Sequence, residues 1–411
     1  MMTRIVLSLA IVTTCLAQPS AAVRVNIGAQ NASSVERIAN IVKTEFDGSI
    51  VRTLRHRLFL TVDVPKSHVD GLLTSDAIRQ NSRYVEQDAI MTIPEYDQWM
   101  EAIGANVAIA TAPPAVDGVP GDPYYDQQNG PPCVDAEAAW DVLPENRDVI
   151  VVIIDTGIDL DHPDLEANIN RDLDWDFVGN DDRPKDDMGH GTHCAGIIGA
   201  VTDNAVGIAG LAQVSLVGVK ALSQFGLGMV SNIVAAIYHA GDINADFVNM
   251  SLGSPSYNAA IHDAVQQVSA QGTLIIAAAG NSGNQNNNYP AAHPEVMGVS
   301  AINQSCSGLA SFSSYGEQNV EIAAPGENIF STLPNHPTWY NRFGFLPRDY
   351  GNMSGTSMAC PQVVGIAAGY KAYDPTLEPQ RIRELLKRFA DDKGDPVRYG
   401  AGFVDFFPFA D

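Results

Sequence analysis

Three residues in this chain have the types and settings that nucleophilic catalysis uses. Asp155 closes VIVVIID, the most apolar run in the chain, and is followed by Thr156 and Gly157. A carboxylate there is either a cap for the next turn or an acid held at the ligand edge of a sheet. His190 lies in DDMGHGTHCAGIIGA, where Gly189 and Gly191 allow close backbone approach and THCAGIIGA opens a helix of small residues. His193, three residues on, reads as a packed or hydrogen-bonded helix residue. Ser357 lies in NMSGTSMACPQVVGIAAG, ahead of a second helix of small residues. A hydroxyl at a helix N-terminus either caps the helix or sits where free N–H groups and the dipole favour a developing negative charge. Pro361 is expected near the start of this helix, where first-turn donors are unpaired and proline is tolerated.

These residues need a frame. From Asp122 onward, VIVVIIDTG, VSLVGVKAL, ADFVNMSLG, TLIIAAAGN and VMGVSAI are short apolar runs separated by helical segments. Buried strands alternating with helices predict an α/β fold, with a parallel sheet covered on both faces. Ligands in such sheets bind beyond the carboxyl ends of the strands, where Asp155 falls. Residues 23–93 predict a separate small α+β unit of order β-α-β-β-α-β. Its first helix shows apolar spacing at Val35, Ile38, Ile41 and Val42, with Ser33 or Ser34 as cap and Glu36 or Arg37 in the first turn. The strand pair SIVRTLRHRLFLTVDV, a second helix HVDGLLTSDAIRQ and a final strand YVEQDAIMTI complete it. Residues 94–121, with Pro94, Pro113, Pro114 and Pro120, read as an extended junction.

Residues 1–22 carry Arg4, an apolar run from Ile5 to Ala17 and then small residues, the layout of a secretory signal peptide with Ala17 or Ala22 at the cut. That run is too short to span a bilayer, so a secreted protein with no membrane attachment is expected. Residues 23–112 hold 9 Lys and Arg against 11 Asp and Glu, whereas residues 113–411 hold 14 against 37. A net charge of −23 in the second region repels nucleic acid and anionic membranes. Most of these acids serve solubility, and a few are candidates for binding cations. After loss of Cys15 the remaining cysteines are Cys133, Cys194, Cys306 and Cys360. Three full pairings are open, as are buried free thiols at Cys194 and Cys360.

Taken together the motifs resemble those of the subtilisin-like serine proteases (subtilases), of the thermitase and proteinase K-like branches. Asp155-Thr156-Gly157 matches D-[ST]-G, His190 to His193 matches H-G-T-H, and Gly355 to Pro361 matches G-T-S-M-A-x-P. The order Asp, His, Ser is that of subtilisin, and the resemblance extends from Asp122 to Val404. It implies a three-layer α/β/α catalytic domain over 122–411 with a mainly parallel central sheet, preceded by a ferredoxin-like inhibitory propeptide over 23–93. It implies Ser357 as nucleophile, His190 as base, Asp155 as the residue orienting the imidazole, and Asn281 of AAAGNSG as oxyanion donor beside the Ser357 N–H. Cys360 stands where the family has Ser or Thr, and Gln362 where it often has His; neither position carries chemistry. Cys194 matches a free thiol found beneath the catalytic histidine in some members.

The resemblance also implies substrate-binding positions. Ser251, Leu252 and Gly253 form one wall of the primary pocket and Ala277, Ala278, Ala279 and Gly280 the other, with Asn288 near its base. Gly226, Leu227 and Gly228 form an edge strand for an extended substrate, and Val230 and Ile233 a further apolar pocket. With no carboxylate in the AAAGNSG wall, cleavage after apolar or aromatic residues is expected. Calcium is expected as a structural ion, with no catalytic cofactor. One site combines Asp122 and Asp164 with Val201, Asn204, Val206 and Ile208. A second combines Asp176 and Asp181 with the carbonyls of Arg183 and Lys185. The partners expected are polypeptide substrates and the chain's own propeptide, acting as folding aid and inhibitor of a monomer. Two competing readings, a catalytically silent binding protein on this fold and a peptide ligase, are disfavoured by the complete set of motifs and by the lack of any water-excluding insertion.

Overall fold

The computed structural model describes residues 22–95 and 120–406. The signal-peptide expectation, but for Ala22, and most of the 94–121 junction lie outside the described residues. The chain divides after Asp88 into two compact units.

The smaller unit contains β1 (Ala22–Ala29), α1 (Ala32–Glu45), β2 (Ser49–Leu54), β3 (Phe59–Pro65), α2 (Val69–Thr74), α3 (Asp76–Arg79) and β4 (Ser82–Gln87). Its four strands form an antiparallel sheet in the order β2-β3-β1-β4. Val35, Ile38 and Val42 face inward from α1 onto Val25, Ile27, Leu60 and Val62. The cap of α1 is Asn31, whose side chain accepts from Ser34 N at 2.9 Å, and not Ser33 or Ser34. An Asn side chain four residues before the helical spacing begins serves as well as Ser. The expected second helix is broken at Ser75, whose Oγ accepts from Ile78 N and restarts the helix as α3. YVEQDAIMTI is divided as well: β4 stays in this unit, while β5 (Ile90–Thr92) belongs to the larger one.

In the larger unit follow α4 (Ala136–Trp140), β6 (Asn146–Asp155), β7 (Trp175–Asp176), α5 (His190–Gly199), β8 (Val214–Lys220), β9 (Leu227–Met229), α6 (Val230–Asp242), β10 (Phe247–Met250), α7 (Ala259–Ser269), β11 (Leu274–Ala278), β12 (Val296–Ile302), β13 (Ile322–Pro325), β14 (Ile329–Thr332), α8 (Trp339–Arg342), β15 (Tyr350–Met353), α9 (Thr356–Tyr373), α10 (Pro379–Phe389) and α11 (Pro396–Tyr399). Seven strands form one sheet in the order β13-β12-β11-β10-β6-β8-β7, parallel throughout. Its five central strands are the five apolar runs. The edge strands β7 and β13 are too short to stand out as sequence patterns.

Every residue of β8, β10, β11, β12 and β13 is buried, as a sheet covered on both faces requires. Val151 and Ile153 of β6 pack in the core formed with α5 and α9, whereas their neighbours Val152 and Ile154 lie outside that cluster and face the other way. The chain winds one way from β6 to β8 and the other way from β10 to β13. The carboxyl ends of β6 and β10 therefore flank the point of reversal, where such sheets bind ligands.

A disulfide joins Cys133 to Cys306 across 173 residues, with Cα atoms 6.0 Å apart. Cys194 and Cys360 are free and buried. Because the bridge restrains a long loop in the unfolded chain, replacing Cys133 and Cys306 by serine should cost about 2–4 kcal/mol of stability. Urea unfolding of the Ser357→Ala protein, which cannot digest itself, measures this. An unchanged midpoint would show that the bridge adds nothing.

Candidate active site

Asp155 is the last residue of β6 and is wholly buried. Its Oδ1 accepts from Thr156 N at 2.7 Å. The imidazole of His190, first residue of α5, places Nδ1 2.7 and 2.9 Å from the two Asp155 oxygens. Such close approach depends on Gly191, where a Cβ would lie 2.1 Å from the Gly157 carbonyl and 3.0 Å from Asp155 Cβ. Asp186, also fully buried, shapes the turn before the helix. Its carboxylate accepts from Met188 N, Gly189 N, Thr156 Oγ1, Thr192 N and Thr192 Oγ1, all within 3.0 Å. Sequence reading passed over Asp186, although an Asp three residues before a helix-opening glycine is a recognisable side-chain-to-backbone turn signal.

Ser357 is the second residue of α9, and Pro361 the sixth. The proline thus lies past the first turn, contrary to the expectation that it only replaces an idle donor. With no N–H, Pro361 leaves the Ser357 carbonyl without its helical partner. That carbonyl accepts instead from Ser251 Oγ at 2.8 Å and from the Cys194 thiol at 3.5 Å. A proline in the helix thereby ties the serine to the segment after β10.

Asn281 lies just beyond β11. Its Oδ1 accepts from Thr356 N and Thr356 Oγ1, both at 2.9 Å, which directs its Nδ2 toward Ser357. The group that meets this amide was not foreseen. Glu95 is completely buried; its Oε1 accepts from Asn281 Nδ2 at 3.0 Å and from Ser357 N at 3.3 Å. Oε2 accepts from Ser357 Oγ at 2.6 Å and lies 3.2 Å from His190 Nε2. No sequence pattern marks Glu95, since only the fold brings it near residues 95 and 262 positions away.

Electrostatics follow from this packing. Burial alone pushes the His190 imidazole down, but Asp155 and Glu95 on its two sides outweigh that and raise it to about 10. His193 has the opposite fate. Burial drives it down to about 3, and its Nε2 lies 3.1 Å from the carbonyls of both Ile329 and Gly351. It is the packed helix residue expected. Burial also pushes the Cys194 and Cys360 thiols up, so neither is a thiolate at neutral pH.

Of the expected substrate positions, Gly226, Leu227, Gly228 and Gly253 pair with residues 90–93 through the main chain. β9, containing Leu227 and Gly228, pairs antiparallel with β5, and Ile93 N donates to Gly226 O at 3.1 Å. On the other side Thr92 exchanges two main-chain bonds with Gly253, at 3.1 and 2.8 Å. Residues 90–93 thus run as a strand between the two walls. Val230 borders a cleft beneath this strand together with Met91, Tyr257, Ile261 and Tyr289; Ile233 is fully buried further along α6. Asn288 packs against Gly253 and Gly280 and donates to Ala278 O at 3.0 Å, between the 251–253 and 277–280 walls. Ser251, Leu252, Ala277 and Ala279 have no exposed surface.

The first expected cation site is also brought together. Asp164 accepts from Ile208 N and Asn204 Nδ2, and Asp122 from Asp203 N and Asn204 N. Val201 N donates to Asp164 O, and Val206 N to Asn204 Oδ1. Burial, with the nearby Asp122 charge, raises Asp164 to about 7. At the second, Asp176 and Asp181 form a backbone bridge, and their Oδ1 atoms accept from Val178, Gly179 and Arg183 N–H groups. The Arg183 carbonyl is taken by Lys185 N.

The subtilase family model matches residues 146–402. The chain is a subtilase. It is 40% identical to thermitase of Thermoactinomyces vulgaris over 250 residues, covering 60% of this chain and 84% of that one. It is 37% identical to subtilisin DY of Bacillus licheniformis over 281 residues, 67% of this chain and 96% of the relative. It is also 37% identical to the halolysin-like extracellular serine protease Nep of Natrialba magadii over 294 residues, 70% of this chain and 52% of Nep. This subtilase is therefore a serine endopeptidase, a hydrolase of peptide bonds on a three-layer fold. Among its described residues no helix is long and apolar enough to cross a membrane.

Because Glu95 is one of the two acids holding His190 up, its replacement by Gln should lower the imidazole's titration point while Asp155 still supports it. NMR titration of His190 in the Ser357→Ala protein, with and without Glu95→Gln, tests this. An identical titration in both would refute the coupling.

Proposed function

We propose that this subtilase is exported as a zymogen and that Asp155, His190 and Ser357 are its catalytic triad. The observation that carries the reading is the meeting of an ionisable imidazole, a buried carboxylate, a helix-terminal hydroxyl and the Asn281 amide around one point. In the freed cleft, His190 takes the Ser357 proton as Oγ attacks the scissile carbonyl, and Asp155 holds the imidazole in the required tautomer and steadies its positive form. The Asn281 amide and the Ser357 N–H donate to the oxygen that becomes negative. His190 then passes the proton to the leaving amine, and water repeats the cycle on the acyl-enzyme.

Residues 23–93 act in this reading as propeptide, with 1–22 as signal peptide and the maturation cut in the 94–121 junction. The extracellular relative from Natrialba magadii supports export. The 251–253 and 277–280 segments carry no carboxylate, which suits apolar or aromatic residues just before the scissile bond. A time course of the precursor beside Ser357→Ala, with calcium present, tests the whole. Only the native form should lose roughly its first hundred residues and then digest casein, its products ending mainly in apolar or aromatic residues. Active Ser357→Ala would sink the assignment; products ending in Arg or Lys would sink the specificity.

Calcium fits the first site. Two buried carboxylates at Asp122 and Asp164, with Asn204 and the carbonyls of Val201, Val206 and Ile208 in reach of one loop, are the oxygen ligands a hard cation uses. The ion would neutralise the paired acids and tie the 122 segment to the 201–208 loop. The same argument is weaker at Asp176 and Asp181, since Asp181 is exposed and the Arg183 carbonyl is already taken by Lys185 N. Chelation of calcium should lower the melting temperature by several degrees, and Asp164→Asn should abolish that dependence. A melting curve of native protein indifferent to chelator would refute it.

A further inference from the structure

We propose that the Glu95 side chain is the inhibitory group of the segment Ile90–Glu95, and that peptides carrying Met-Thr-Ile-Pro-Glu are ligands of this cleft and not substrates. This deepens the zymogen reading and rests on it. The segment enters as a substrate strand would, paired to β9 on one side and to Gly253 on the other. Thr92 and Gly253 exchange both bonds, so the next hydrogen-bonded pair in this antiparallel register is Pro94 opposite Ser251. Proline has no N–H to give. The Ser251 carbonyl instead lies 3.3 Å from Ser357 Oγ, whose proton points to the nearer Glu95.

The ladder therefore ends one step short of the reacting groups, and a side chain completes the occupation. Both Glu95 oxygens lie on the donors that the reaction needs: Asn281 Nδ2 and Ser357 N on one, Ser357 Oγ and His190 Nε2 on the other. A carboxylate in that place carries the charge of the transition-state oxygen without its electrophilic carbon. Its carbon is shielded by resonance and by negative charge, so Ser357 has nothing to attack. The cleft is cut to fit it, since any Cβ at Gly355 would lie 1.6 Å from Glu95 Oε1. An imidazole flanked by Asp155 and Glu95 also holds its proton, and so cannot act as base.

The test uses processed native enzyme, a chromogenic peptide substrate and the peptide acetyl-Ala-Ile-Met-Thr-Ile-Pro-Glu-amide, whose one carboxylate is the glutamate side chain. Competitive inhibition is expected, with the peptide's mass unchanged after incubation. Replacing Glu by Gln or Ala in the peptide should weaken inhibition about 10- to 100-fold, because charge-assisted bonds are lost. Equal inhibition by all three, or cleavage of the Glu peptide, would overturn the proposal. In the full chain, Glu95→Gln should shorten the lag before self-processing relative to the native precursor; an unchanged lag also counts against it. Enzyme that fails to hydrolyse the substrate with no peptide present would instead overturn the protease reading beneath it.

Discussion

A carboxylate with no solvent, at the end of a parallel strand, is the constraint around which this molecule is arranged. Asp155 is fully buried, and an ionised acid there is costly unless charge and hydrogen bonds meet it. They are met by Thr156 N and by the His190 imidazole. To deliver that imidazole, α5 must begin almost in contact with the end of β6, which only a glycine at 191 permits. Asp186 then holds the turn by gathering five donors, from Thr156 just past β6, from Met188 and Gly189 in the turn, and from Thr192 of α5. The core beneath serves the same end: Cys194 and Ala195 turn their small side chains inward, so α5 can lie close to the sheet.

The second arm of the site is held by an apparent defect. Pro361 costs α9 a hydrogen bond, and the freed Ser357 carbonyl becomes the anchor for Ser251. One interaction thus sets the distance between the helix that carries Ser357 and the segment that pairs with Thr92. Thr356 does the same on the other side, fixing Asn281 by two bonds and accepting from Gly280 N. Rigid donors facing a dry point are what stabilises an oxyanion. The same preorganisation makes the point a trap for any carboxylate that can reach it, and Glu95 reaches it.

Much of the framework is legible along the chain because it rests on local pattern. Apolar runs such as VIVVIID and VSLVGVK must be buried on both faces, which dictates a parallel sheet between helices. Other features escaped for physical reasons. The caps at Asn31 and Ser75 depend on which of several adjacent polar residues turns back on the backbone, and propensity does not separate them. The edge strands at 175–176 and 322–325 are paired only because a neighbouring strand is already in place. Pro361 seemed harmless while its helical position was unknown, and its consequence appears only with Ser251 opposite.

By itself the sequence determined the fold class and the family, since each is written in contiguous motifs that chemistry constrains. Tertiary structure decided the rest. It chose Cys133–Cys306 among the possible pairings, placed Asp186 behind the turn, and drove His190 up and His193 down although they stand three residues apart in one helix. It also set Glu95 against Ser357 across 262 residues of chain. These outcomes depend on distance and burial between segments far apart in sequence, and a pattern read along one dimension carries neither.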